Sequence, residues 1–256
     1  MPKVITLVSQ YSSIGRTTTI INISTWLGLL GKKVLIIDMD QKSTLTDFMG
    51  ISAEQNVFGL EEIILEQMPL DSAIINTHIK DLAIIPYSKN EHSVGLSSIF
   101  ENNLYALRDC IDLLEQKFDY IFLDTPDSHS QIFKASMIAT DSVIIALKCE
   151  SEELENISEL INQVAEIKSE LNNWLELQGV LITMYNNKSS TASQTFIKIK
   201  EKFGDLLFKT TIPINMMIAE ANNSKSPVAL YDIKSFGAES YLRLAKELIQ
   251  QNEINL

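Results

Sequence analysis

Residues 3–38 read "KVITLVSQYSSIGRTTTIINISTWLGLLGKKVLIID". An apolar, β-branched run, Lys3 to Val8, leads into a polar loop with a single glycine, Gly15. A second apolar stretch long enough for a helix follows, and then "VLIID", which ends in Asp38. Continuous apolar runs of this kind fit strands buried on both faces, as in a parallel sheet covered by helices. Strand, loop, helix and strand in that order form a βαβ unit, and this unit governs the reading of everything after it.

The same alternation continues outward along the chain. Strands are expected at 3–8, 33–38, 82–86, 120–124, 142–147, 179–184 and 207–212. Helices are expected at 17–30, 60–66, 104–116, 152–171, 193–202 and 238–251. Within 104–116, Leu104, Leu107, Ile111 and Leu114 recur at helical spacing. The expected fold is a doubly wound α/β fold with a mostly parallel sheet flanked by helices. No Pro-, Gly- or Ser-rich linker, internal repeat or low-complexity tract divides the chain, so residues 1–256 are expected to form a single domain. That length accommodates one large core.

Apolar residues make up 45% of the chain and charged residues 21%, a globular balance. The net charge of −12 opposes non-specific nucleic-acid binding. It is unevenly spread. From Lys188 onward nine basic and seven acidic residues give +2, whereas the preceding 187 residues hold twelve basic and twenty-six acidic residues, a net of −14. The two cysteines, Cys110 and Cys149, form no CxxC pair, which suits reduced thiols and a cytoplasmic protein. Lys3 and the polar loop at Gln10 leave too short an apolar run for a signal peptide, and no stretch is long enough to span a bilayer.

Three segments carry chemistry. The first is "SQYSSIGRTTT", Ser9–Thr19. A loop between strand and helix binds an anion through backbone N–H groups and the helix N-terminus, and glycines let it approach closely. Ser12, Ser13, Ile14, Gly15, Arg16, Thr17 and Thr18 are the candidate phosphate contacts. Ser12 and Ser13 would each cost on the order of 1 kcal/mol if their positions require positive φ. The alternative is an ordinary strand–turn–helix capped by Thr17. The second segment, "KKVLIIDMDQKSTLTDFMG", places Asp38 and Asp40 at a strand end, where ligands gather in such folds. The third, "FDYIFLDTPDS", ends a strand in Asp124, where a carboxylate can hold Mg²⁺. Thr125–Pro126 makes a rigid exit from that strand. His78, His92 and His129 lack metal-ligand spacing and read as surface residues.

These segments resemble the ParA/MinD family of deviant-Walker-A P-loop ATPases, and most closely the short, Soj-type ParA branch. "YSSIGRTT" occupies the family's K-G-G-x-G-K-T-T, "LIIDMDQKSTLT" is similar to its LxIDxDPQxxxT, and "DTPD" to its D-T-P-P. "GVLITMYNNKSSTASQ", "TTIPINMMIAEA" and "SPVALYDIKSFGAESYLRLAKEL" resemble ParA segments in order and spacing, so the likeness covers nearly the whole chain. It implies ATP and Mg²⁺ as cofactors, a homodimer, a ParB-like adaptor, and partition or positioning of plasmid, chromosome or other cargo. By the same resemblance Thr17, Asp38 and Asp124 serve the metal, Asp40 positions the attacking water, Arg16 faces the phosphates, and Pro213 and Asn215 lie beside the adenine.

The chain departs from the family at several of these positions. Tyr11 stands in place of the signature lysine that crosses the dimer, and Arg16 replaces the Walker lysine. Gln41 and Lys42 replace a proline and glutamine, and Asp127 the second switch proline. Each lost charge contact to a transition state typically costs roughly 2.7–4 kcal/mol, so slow hydrolysis is expected. A fold that no longer binds nucleotide and serves as a scaffold is the alternative. Lys188, Ile214 and Met217 stand where ParA proteins carry DNA-contacting arginines, which predicts weak or absent DNA binding. The lysines at 198, 200 and 202 read as a solvated helix. The C-terminal helix, with Tyr241, Leu244 and Leu248 but no cationic face, reads as core rather than membrane anchor.

Overall fold

The computed structural model describes residues 1–51, 58–88, 94–126 and 130–254. Its strands are β1 (Lys3–Val8), β2 (Val34–Asp38), β3 (Ile75–Asn76), β4 (Leu82–Ile85), β5 (Tyr120–Asp124), β6 (Ser142–Leu147) and β7 (Glu176–Ile182). They form one sheet in the order β3-β4-β2-β5-β1-β6-β7, parallel except for the short β3. The helices are α1 (Arg16–Leu29), α2 (Thr44–Phe48), α3 (Leu60–Glu66), α4 (Leu96–Asn102), α5 (Ala106–Asp112), α6 (Gln131–Ala139), α7 (Ser151–Glu170), α8 (Ser190–Phe203), α9 (Met216–Asn223), α10 (Val228–Tyr231) and α11 (Phe236–Ile254). The mostly parallel, helix-flanked sheet expected from the sequence is the one observed.

Alternate residues of each strand point to opposite faces. Ile5, Leu7, Val34, Ile36 and Phe122 pack with α1 and α11 on one side. Val4, Leu35, Ile37, Ile121 and Leu123 pack with α3 to α6 on the other, and Val143, Ile145, Val180 and Ile182 with α6 to α8. In α11, Tyr241, Leu244, Ala245 and Leu248 are buried against α1, so this helix is core, as its sequence suggested. Among the described residues no helix is long and apolar enough to cross a membrane.

The expected strand at 207–212 does not form. Leu207 makes only an isolated bridge to Val180, and the Phe208 and Ile212 amides reach the Val180 and Ile182 carbonyls. Between them, the Lys209 and Thr210 N–H groups turn to the Glu247 carboxylate on α11, at 2.7 and 3.0 Å. A tertiary acceptor thus interrupts the ladder. The expected helix at 104–116 shortens to α5 for a similar reason: the Glu115 and Gln116 amides donate to the Asp71 carboxylate. Helix α6 begins where Ser130 Oγ accepts the Phe133 N–H, a local cap ahead of a nine-residue helix that the apolar pattern does not single out.

β1 lies between β5 and β6. The chain builds one side of the sheet through β2 and β4, then crosses β1 to build the other. The reversal of strand order falls at β1, so the loop after it opens at the topological switch point, where ligands of such folds bind.

Candidate functional site

The loop from Ser9 to Gly15 joins β1 to α1. Ser13 has φ 61°, so one of the two serines does occupy a left-handed position; Ser12 does not. Ile14 is buried and anchors the turn. Gly15, at φ 83° and ψ 28°, precedes the first helical residue without any side-chain cap. Thr17 is therefore not a helix cap. Its Oγ1 donates instead to Asp124 Oδ2 at 2.8 Å. Arg16, the first residue of α1, donates from Nη1 to the Pro126 carbonyl at 3.2 Å. Thr18 Oγ1 accepts from Asn222 Nδ2 of α9 at 3.2 Å.

Asp38 and Asp124 face each other in register at the ends of β2 and β5. Asp38 accepts the Thr46 hydroxyl at 2.7 Å and the Thr46 N–H at 2.9 Å on one oxygen, and the Asp40 N–H at 3.1 Å on the other. Burial nevertheless pushes Asp38 up to about 6, against the lowering effect of those bonds. Asp124 is pushed up to about 7, first by burial and then by the neighbouring Asp38 charge, while the Thr17 hydroxyl and Arg16 oppose the rise. Two carboxyls held apart from water and close to each other favour a shared proton or a cation. Among the described residues no three His, Cys, Asp or Glu side chains converge on a metal position. Mg²⁺ typically takes one or two carboxylates and completes its shell with water and phosphate oxygens. Among the described residues the hydroxyls of Ser43 and Thr125 are buried without a hydrogen-bond partner. Two adjacent, buried carboxylates fit a hydrated metal with an anion. Asp40 is half-buried, and its Oδ1 accepts the Lys42 N–H at 3.0 Å.

The first half of the loop rests elsewhere. Tyr11 OH accepts from Asn156 Nδ2 at 2.6 Å, and Gln10 Nε2 donates to Glu159 Oε2 at 2.9 Å, both on α7. Ser9 Oγ donates to the Tyr11 carbonyl. Tyr11 is thus held by the chain's own helix.

Pro213 bridges to Tyr185, flanked by bonds from Tyr185 N to the Ile212 carbonyl and from Ile214 N to the Tyr185 carbonyl. The preceding Met184 lies against the loop: a methyl group on Gly15 would sit 3.5 Å from its Cε. Asn215 caps α9, its Oδ1 accepting the Met217 N–H at 2.9 Å. Asp127, His92 and His129 lie outside the described residues. The sequence reading passed over Thr46, Asn222, Met184 and Asn156. Thr46 was detectable as the threonine closing "LIIDMDQKSTLT"; the other three come from distant segments and carry no local signal.

A loop at the switch point, backed by paired strand-end carboxylates, defines the class: an α/β protein of the P-loop NTPase type. A family described as AAA domain matches residues 2–177. The chromosome partitioning protein ParA of Caulobacter vibrioides is 31% identical over 252 residues, which are 97% of this chain and 94% of that protein. The sporulation initiation inhibitor protein Soj of Bacillus subtilis is 32% identical over 252 residues, 97% of this chain and 98% of that protein. In fold, the chain is similar to the septum site-determining protein MinD of Pyrococcus horikoshii, solved with Mg-ADP, at a TM-score of 0.79 and 22% identity over 100% of this chain and 99% of that one. The chain belongs to the ParA/MinD family.

Proposed function

We propose that this chain is a ParA-type partition or positioning protein that binds Mg-ATP in the 9–18 loop and hydrolyses it slowly. Chromosome partitioning is the role named for its ParA relative. The observation that carries the reading is the interlock of Thr17 with Asp124 beside Asp38, two buried carboxyls pushed up to about 7 and about 6 respectively. Thr17, Asp38 and Asp124 would hold Mg²⁺, directly or through water. Ser12, Ser13, Ile14, Gly15, Arg16, Thr17 and Thr18 would cradle phosphate, with Pro213 and Asn215 toward the base. The bound metal would neutralise phosphate charge. Asp40 would orient a water, its carboxylate being reachable from solvent. Arg16 keeps a positive charge at the phosphates, in a forked rather than point form.

The reading extends to a single domain over residues 1–256, a homodimer, a ParB-like adaptor and a cytoplasmic location. DNA binding would be weak or absent, since Ile214 is 66% exposed where relatives are expected to carry a cation. A scaffold without nucleotide is the second reading. The docking of Tyr11 and Gln10 on α7 favours it, because that half of the loop is held by the chain itself and offers no cation to a partner.

Isothermal titration with Mg-ATP and Mg-ADP, followed by sizing with and without ATP, separates the two. Micromolar binding with a nucleotide-dependent increase in size supports the ATPase reading. No heat and no size change at millimolar ATP supports the scaffold.

A further inference from the structure

We propose that Asn222, at the C-terminal end of α9, is a positioning residue that turns the Thr18 hydroxyl into a hydrogen-bond donor for phosphate in the 9–18 loop. The proposal rests on the nucleotide-binding reading. Asn222 Nδ2 donates to Thr18 Oγ1 at 3.2 Å. An amide nitrogen only donates, so Thr18 Oγ1 is the acceptor there and its own hydrogen turns away from Asn222. A second amide closes the other acceptor of the same residue. Asn22 Nδ2 donates to the Thr18 carbonyl at 2.8 Å, while Asn22 Oδ1 accepts the Val228 N–H at 2.8 Å. A backbone N–H cannot accept, so buried Asn22 has one possible amide orientation. Both acceptors of Thr18 are thus engaged by donors of the protein itself. What remains for a ligand is its O–H and its N–H. That N–H belongs to the first turn of α1, where amides lack an intrahelical acceptor. Two donors on one residue suit an anion.

The helix that carries Asn222 is held along its length. Asn215 caps its start, and Ala221 is buried. A Cβ on Gly237 of α11 would stand 2.6 Å from Ile218 Cγ1, so glycine there allows the close approach of the two helices. Beyond its end, the Ser226 N–H returns to the Ala221 carbonyl at 3.0 Å. α9 therefore runs from Asn215, placed toward the base by the same reading, to Asn222 at Thr18. One helix addresses both ends of a nucleotide.

The test is isothermal titration of the full chain with Mg-ADP in a double-mutant cycle of Asn222→Leu and Thr18→Val, with circular dichroism confirming that each variant is folded. Leucine is similar in size to asparagine and carries neither donor nor charge. Asn222→Leu is expected to bind Mg-ADP about fivefold more weakly than wild type, the scale of one net hydrogen bond, and Thr18→Val about tenfold or more. The double variant is expected to lie within about twofold of Thr18→Val, because without the hydroxyl Asn222 has nothing to orient. Thr18→Ser keeps the hydroxyl, so Asn222→Leu should again cost about fivefold in that background. If Asn222→Leu fails to fold, Asn222→Ala takes its place in the cycle. An Asn222 variant that binds like wild type overturns the proposal and leaves the nucleotide reading standing. So does a loss that is equally large beside Thr18→Val, or one that is not regained beside Thr18→Ser. A wild type that binds no Mg-ADP overturns the proposal and the nucleotide reading together.

Discussion

The two halves of the 9–18 loop make opposite connections. Gly15 to Thr18 look inward: Arg16 and Thr17 reach the end of β5, and Thr18 accepts a bond from α9. Gln10 and Tyr11 look outward, onto the polar face of α7. The sequence reading matches Gly15, Thr17 and Thr18 to the loop pattern it resembles, and sets Tyr11 and Arg16 apart from it. Groups interlocked with buried carboxylates are constrained in type, because any change leaves a buried charge with fewer partners. A half that touches only a surface helix is freer to change.

Replacing Thr17 by alanine strikes the inward half where it is most constrained. Mg-dependent nucleotide affinity should fall roughly 10–100-fold, the usual cost of losing a group that orients a metal site. Titration calorimetry reads it, and an unchanged affinity would remove the distinction between the halves.

Next in size is a pH effect. Asp38, at about 6, and Asp124, at about 7, both stand above the ordinary 3.8 of an aspartate in an unfolded chain. Between these values the native protein retains protons that the unfolded chain has released. The stabilisation is complete below about pH 4 and is lost as pH rises through the folded values. Urea denaturation in EDTA should therefore show stability falling between pH 5 and pH 7.5, on the order of 4 kcal/mol. Added Mg²⁺ should offset the fall, and Asp124→Asn should flatten it. A metal-free profile that rises over this window would contradict the burial of the pair.

Gly15→Ala comes third. At φ 83° a Cβ is strained even though Met184 leaves room for it, so a loss of about 1–2 kcal/mol is expected in denaturant unfolding. Tyr11→Phe should be the mildest. It removes one exposed hydrogen bond to Asn156, worth about 0.5–1 kcal/mol at most, and nucleotide affinity should stay within about threefold of wild type. A large affinity change here would mean that the outward half does participate at the phosphates.

Much of this organisation is legible in the chain by itself. Runs such as "VLIID" and "YIFLD" declare buried parallel strands, and their terminal Asp38 and Asp124 mark the ligand edge of the sheet. Gly15, Thr17 and Thr18 follow directly from the strand–loop–helix order. Local pattern does not reveal where distant acceptors intervene. "LLFKTTI" has strand composition, yet Glu247 takes two of its amides and only an irregular edge results.

The residues themselves determined a doubly wound sheet, the loop at its switch point, and the carboxylates beyond β2 and β5. These features depend on hydrophobic periodicity and strand ends, which are local properties. Tertiary structure alone decided that Thr17 serves Asp124 rather than capping α1, that Arg16 grips the Pro126 carbonyl, and that Tyr11 rests on Asn156. Each of those bonds joins residues more than a hundred positions apart. Which of several possible partners a polar side chain meets is settled only when the packed sheet brings the segments together.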